Sequence, residues 1–222
     1  MPADIGSGLR IFTLGGLSIQ LDGERVEFVT RKAEALLVYL VSSRRSQPRE
    51  ILGTLLWEEQ SQVLALTSLR SALAALRKKL GSYIDATRTT IRIGGPYVWC
   101  DVEELERRLE AADVEGALSL FNGEFLEGFY VRGAANYDNW LVAERERIHQ
   151  LVRKGLHEHV ARALSWGQFE SGLVSARQLI EMDPLDELAQ QQMMTLLANS
   201  GQRAAALAFY EECRQLLWEE LG

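Results

Sequence analysis

Between residues 64 and 81, Leu66, Leu69, Leu73, Leu76 and Leu80 recur at steps of three and four, which predicts a helix with one apolar stripe. Its opposite face carries Thr67, Arg70, Ser71, Ala74, Arg77 and Lys78, and the segment contains no carboxylate. Upstream, Leu17, Ile19 and Leu21 alternate with Ser18 and Gln20, the period of a half-buried strand. Residues 9–14 read as a partner strand across Gly15-Gly16. Asp22-Gly23 signals a tight turn into a third strand around 26–28. Thr30 is placed to cap a helix over 31–41 whose buried stripe is Ala33, Leu36, Leu37 and Leu40. After a polar loop at 42–46, Pro48 opens a short helix running through Ile51, Leu52, Leu55 and Leu56 to Trp57. Residues 83–95 read as a β-hairpin with a basic tip. Sheet, three helices and a hairpin are the order of a winged helix-turn-helix closing near Cys100.

Beyond Asp101 the pattern turns almost wholly helical. Val102, Leu105 and Leu109 mark one amphipathic helix and residues 114–121 a second. Residues 122–132 are irregular and aromatic, with Phe125, Phe129 and Tyr130, and a long helix is expected from about 136 to 166. Trp166-Gly-Gln-Phe-Glu-Ser-Gly-Leu recurs as Ser200-Gly-Gln-Arg-Ala-Ala-Ala-Leu, so Gly167, Gln168 and Leu173 reappear 34 residues later as Gly201, Gln202 and Leu207. That is the tetratricopeptide period, in which stacked helix pairs cover apolar faces that no single pair can cover. The expected fold is mainly α with a small β component: a winged helix over residues 1–100 and an all-α, tetratricopeptide-like repeat domain over 101–222.

Charge sharpens this division. Residues 1–100 carry 13 Lys and Arg against 9 Asp and Glu, a net +4. Residues 101–222 carry 11 against 22, a net −11. A basic half suits a phosphate backbone; the acidic half is repelled by one and is expected to meet protein. No apolar run approaches the roughly 20 residues of a spanning helix, and residues 1–8 lack a basic segment followed by an apolar one, so neither membrane nor secretory leader is expected. Cys100 and Cys213 stand in no metal-ligand spacing and read as reduced thiols of a cytoplasmic protein. His157 and His159, two apart on a helix, do not share a face, so no metal is expected. Gly15-Gly16 and Gly94-Gly95 open no phosphate loop, and there is no nucleophile elbow. No catalytic residue and no cofactor is assigned, and an enzyme is not expected.

At this point the residues carry a family resemblance. The first half resembles the OmpR-type winged helix. The whole chain resembles the SARP family of bacterial regulators, in which that domain precedes a tetratricopeptide-like bacterial transcriptional activator domain. The matching segments include Leu17-Ser-Ile-Gln-Leu-Asp-Gly, Arg49-Glu-Ile-Leu-Gly-Thr-Leu-Leu-Trp, Leu69-Arg-Ser-Ala-Leu-Ala-Ala-Leu-Arg-Lys-Lys-Leu-Gly, Val98-Trp-Cys-Asp-Val-Glu-Glu-Leu-Glu and Leu217-Trp-Glu-Glu-Leu-Gly. The resemblance implies a DNA-binding transcription regulator, in the main an activator, nucleoid-associated when bound, that recognises direct repeats near promoters as a homodimer or in tandem and contacts RNA polymerase. By position it makes Thr67, Arg70, Ser71, Ala74, Arg77 and Lys78 the recognition-helix residues and places Arg88, Thr89 and Thr90 in the wing. It also implies that a chain ending at Leu221-Gly222 is a fragment of a longer regulator. With no receiver domain ahead of the winged helix, control by aspartyl phosphorylation within this chain is not expected.

Each candidate also has a bland reading. Arg77, Lys78 and Lys79 favour the helix C-terminal dipole at roughly 0.3–1 kcal/mol each, whereas Arg70, mid-helix, has no such motive. Arg31 and Lys32 oppose the dipole at a helix start, which favours phosphate contact for them. Trp57, Trp99 and Trp140 read as packing residues. Family members often carry a bulky polar residue where Ala75 stands, so base readout is expected to lean on Arg70, half-site spacing and DNA shape. A protein-interaction scaffold whose winged helix no longer reads DNA stays open as the alternative.

Overall fold

The computed structural model describes residues 8–221, so the leader reading at the N-terminus and Gly222 lie outside the described residues. The chain divides into two compact units, 8–108 with Glu115–Ile148, and Leu109–Val114 with 149–221.

The first unit opens with β1 (Leu9–Phe12), β2 (Ser18–Leu21) and β3 (Glu24–Arg25). Helix α1 (Arg31–Ser43) follows, then β4 (Gln47–Pro48), α2 (Arg49–Leu56), α3 (Gln62–Leu80), β5 (Ile84–Ala86), β6 (Thr90–Ile93) and β7 (Val98–Cys100). One sheet has the order β3-β2-β1-β7 and a second the order β4-β6-β5. The third strand is not at 26–28. Asp22 and Gly23 both have positive φ, 52° and 85°, and this two-residue turn sets Leu21 opposite Glu24, so pairing resumes at once. Val29 is left fully exposed. The other addition is β7, which joins β1 in parallel with Leu9 opposite Val98 and Ile11 opposite Cys100.

Thr30 caps α1 by accepting from the Ala33 N–H at 3.3 Å, and Ala33, Leu36, Leu37 and Leu40 are buried. They share a core with Leu52 and Leu56 of α2, Leu69, Leu73 and Leu76 of α3, and Ile91 of β6. Pro48, not a helical residue, precedes α2 in extended conformation, so Arg49 takes the first helical position.

The first unit continues past the small sheets. Helix α4 (Asp101–Glu110) begins on a buried carboxylate. Asp101 accepts from the Thr13 N–H (2.5 Å), the Thr13 hydroxyl (2.7 Å), the Leu14 N–H (2.7 Å) and the Val102 N–H (2.9 Å). After α5 (Val114–Leu118), the aromatic segment lies along the β1–β2 loop through main-chain bonds: Leu126 N–H to the Thr13 carbonyl (2.7 Å), Glu127 N–H to the Gly15 carbonyl (2.8 Å) and Gly15 N–H to the Glu124 carbonyl (3.0 Å). Helix α6 (Ala135–Trp166) starts on the helix-turn-helix itself. Both oxygens of Glu58, in the α2–α3 turn, accept from its first main-chain N–H groups, Ala135 (2.8 Å) and Asn136 (2.9 Å), an acid at a helix N-terminus. Trp140 of α6 stacks against Tyr39, Phe125 and Tyr137. It is a packing residue, as is Trp57, which is 6% exposed.

In the second unit the remainder of α6 is followed by α7 (Phe169–Met182), α8 (Glu187–Asn199) and α9 (Arg203–Leu221). The 34-residue period has a backbone cause. Gly167 and Gly201 end α6 and α8 with φ of +72° and +82°, a left-handed turn in which a side chain is strained. Asp186 caps α8 through the Ala189 N–H (3.0 Å) and also accepts from Arg153 (2.9 Å), with His157 Nε2 at 3.0 Å. Burial alone would raise the Asp186 pKa; these donors bring it below the usual carboxylate value. His157 thus bridges helices, with its other ring nitrogen 2.8 Å from Gln192.

Candidate nucleic-acid interface

Helix α3 turns most of its leucine stripe inward: Leu69, Leu73, Leu76 and Leu80 are buried, joined by Ala65 and Ala72, while Leu66 at the edge of the stripe is half-buried. Thr67, Arg70, Ser71, Ala74, Arg77 and Lys78 are all exposed on the other side. Ala75 lies between the two faces, half-buried, which limits what a larger residue there would offer a ligand. The hydroxyls of Thr67 and Ser71 donate to the carbonyls one turn back, Val63 (2.9 Å) and Thr67 (3.3 Å). Their oxygens stay open as acceptors, suited to a base amino group.

The hairpin β5–β6 is the wing. Its tip closes when the Thr87 N–H bonds the Thr90 carbonyl (2.9 Å) and the Thr87 hydroxyl takes the Thr89 and Thr90 N–H groups (3.2 and 3.0 Å). Arg92 and Asp85, directly opposite in register, form an ion pair across the strands at 2.7 Å. Two helices hold the tip. Arg49 at the start of α2 donates from Nε (3.1 Å) and Nη2 (2.9 Å) to the Thr87 carbonyl, and its own N–H reaches the Thr89 carbonyl at 2.9 Å. Arg77 of α3 donates to the Ala86 carbonyl at 3.3 Å. Pairing of β4 with β6 anchors the same corner.

Between α2, α3 and the wing lies an open cleft of about 720 Å³, lined among others by Arg49, Arg70, Ala74, Arg77, Arg88 and Thr89. These six come from three parts of the chain, the start of α2, the exposed face of α3 and the tip of the hairpin, and the fold brings them together. Among the described residues, Arg70, Lys78 and Arg88 find no hydrogen-bond or ion-pair partner. Arg49 has its pKa lowered, first by burial and then by the nearby charges of Arg77 and Arg70. The site is therefore positively charged and internally repulsive, which an anion relieves.

Arg31 and Lys32 are not part of this cleft. Arg31 pairs with Glu34 at 3.0 Å and lies over the Phe129 ring. Lys32 donates to the Gly133 carbonyl at 2.9 Å and sits 5.5 Å from the Trp57 ring centroid. Burial lowers its pKa, against the pull of Glu59 and Glu58. The residue that sequence reading left out is Arg49. The signal was available: a cation in the first turn of a helix has no dipole motive, the same argument that singled out Arg31 and Lys32.

Among the described residues no helix is long and apolar enough to cross a membrane, and no cluster of three His, Cys, Asp or Glu is placed to hold a metal.

A winged helix with an exposed cationic face on its third helix, continued by helical repeats, defines the class: a winged helix joined to stacked helix pairs. Residues 102–222 match the family described as BTAD, bacterial transcriptional activator domain. The chain is 27% identical over 232 residues to the regulatory protein AfsR of Streptomyces coelicolor, covering 96% of this chain and 23% of AfsR. Its fold is similar to that of Mycobacterium tuberculosis EmbR, solved in complex with a low-affinity phosphopeptide, at a TM-score of 0.72 and 22% identity, over 96% of this chain and 61% of that one. The chain thus spans under a quarter of one relative and about three fifths of the other. The chain belongs to the bacterial transcriptional activator domain family.

Proposed function

We propose that this chain is the DNA-binding and protein-contacting part of a transcription activator. The observation that carries the reading is the exposed, carboxylate-free face of α3 set beside the arginine-lined cleft and the wing. In this reading Thr67, Arg70, Ser71 and Ala74 face base edges in a major groove. Arg77 and Lys78 meet phosphates, and Arg88, Thr89 and Thr90 follow the adjoining backbone. Arg31 and Lys32, already engaged by Glu34 and Gly133, are secondary phosphate contacts. Binding to direct repeats, in pairs, suits a reading face with modest sequence content. The acidic half, repelled by phosphate, is left to protein partners such as RNA polymerase.

Selection of bound fragments from a random DNA pool, followed by anisotropy titration of the winner, tests this. Arg70→Ala should weaken the selected site by about 1–3 kcal/mol, roughly 5- to 150-fold, and flatten the preference at one position. Lys78→Ala should weaken all sequences alike and lower the salt slope by about one. A pool that returns no enriched sequence, with no binding near physiological salt, would favour the scaffold reading instead.

A further inference from the structure

The cleft between α2, α3 and the wing has a feature that a reading face does not need. We infer that it is a seat for one phosphate group, and that Arg49 is its floor. This rests on the DNA-binding reading for its natural source of phosphate, although the seat recognises the oxyanion itself.

Three observations converge on it. First, the guanidiniums of Arg49, Arg70, Arg77 and Arg88 come from three separate elements and face one cleft, with Glu50 the sole carboxylate among its lining residues. Second, Arg49 is half-buried and lies close enough to Arg77 and Arg70 to feel them as like charges, a repulsion that an oxyanion among them offsets. Third, the geometry leaves Arg49 the right donors. Its Nε and Nη2 spend one N–H each on the Thr87 carbonyl. That leaves the Nη1–Nη2 edge, the other planar fork of the guanidinium, for two parallel bonds to an oxyanion.

The same bonds give the seat a consequence. Arg49 and Arg77 hold the adjacent carbonyls of Thr87 and Ala86 from two different helices. A phosphate gripped by both fixes the wing tip relative to α3. Arg49 is in this sense a positioning residue for the wing as well as a phosphate contact.

The test uses two sources of phosphate on the whole chain. In the absence of DNA, inorganic tripolyphosphate should raise the melting temperature of the wild type, and Arg49→Ala and Arg88→Ala should each lose most of that rise. Arg88 makes no side-chain bond among the described residues, so its variant keeps the seat testable if Arg49→Ala folds poorly. With the selected DNA fragment, Arg49→Ala should weaken matched and scrambled sequences by the same factor and lower the log–log salt slope by about 0.9, one phosphate. Arg49→Lys should keep that slope, because the charge remains, yet still bind several-fold more weakly, because the fork and the Thr87 clamp are gone. If tripolyphosphate stabilises wild type and both variants equally, or if Arg49→Lys binds DNA as wild type does, the seat is overturned. Failure of the wild type to bind any DNA, with the tripolyphosphate response intact, would sink the DNA reading and leave the seat standing for a free polyphosphate.

Discussion

Replacing Asp101 by Ala removes the acceptor on which two parts of the first unit meet. Asp101 is 3% exposed, Thr13 1% and Leu14 5%, so water has little access to the donors left behind. The Thr13 hydroxyl can rotate to another acceptor, but the main-chain N–H groups of Thr13 and Leu14 cannot. Each orphaned buried donor costs about 1–3 kcal/mol, which puts the loss near 2–6 kcal/mol. That is a large share of the roughly 5–15 kcal/mol that holds a typical domain folded. Urea unfolding followed by tryptophan fluorescence reads it, since Trp57, Trp99 and Trp140 all belong to this unit. With a slope of about 1–3 kcal/mol per molar urea, the midpoint should fall by at least about 0.7 M. Asp101→Asn keeps the shape and one acceptor oxygen but turns an amide donor toward an N–H, so it should lie between wild type and Ala. A loss below about 1 kcal/mol for Asp101→Ala would show that water or a shifted main chain satisfies these donors, and that the carboxylate does not hold the β1–β2 loop to α4.

Two glycines should respond with opposite signs. A methyl at Gly53 would meet only ordinary contacts, 3.7 Å from the Ala65 Cβ, so Gly53→Ala should stabilise by about 0.5–1 kcal/mol through helix propensity. At Gly172 it would lie 2.7 Å from Leu196 Cδ2 and 3.0 Å from the Ala163 Cβ, so Gly172→Ala should destabilise the second unit by about 1–3 kcal/mol in the same unfolding assay. Glu104, held by hydrogen bonds from Arg107 and then Arg108, has its pKa lowered from 4.5 to about 2. Its contribution to stability is therefore complete above about pH 4.5 and lost as pH falls toward 2, so the gap in melting temperature between wild type and Glu104→Gln should close over that interval. The Cys100 thiol, pushed up to about 12 by burial and by the Asp101 charge, should resist iodoacetamide at pH 8 in the folded protein and react once urea unfolds it.

Much of the first unit is legible from side-chain periodicity alone. The leucines of α3, the stripe of α1 and the Thr30 cap all lie where the pattern puts them, because each rests on contacts within a few residues. The strand β7 was not legible: Val98–Cys100 is three residues long, too short to show alternation, and its partner lies almost ninety residues earlier. Nor was the attachment of residues 122–128 to the β1–β2 loop, which runs through main-chain groups that every sequence possesses. The shift of β3 to Glu24–Arg25 follows from the turn, whose two positive-φ residues the Asp22-Gly23 signal identified but whose register the hydrophobic pattern misjudged. At the candidate interface the periodic part is readable; Arg49 carries the local signal of a cation in a first helical turn, but its bonds to the Thr87 carbonyl exist only once α2 and the hairpin are folded against each other.

The carboxylate of Glu58 belongs to the turn of the helix-turn-helix, yet the backbone it serves is the start of α6. Inheritance of the winged helix as an exchangeable cassette is constrained by that bond. A recombination point at the change of composition near residue 100 would transplant Glu58 without Ala135 and Asn136, Thr13 without Asp101, and Tyr39 without Trp140. Grafting this winged-helix head onto another protein therefore calls for a junction inside α6, beyond Ile148, so that the head travels with the helix it caps.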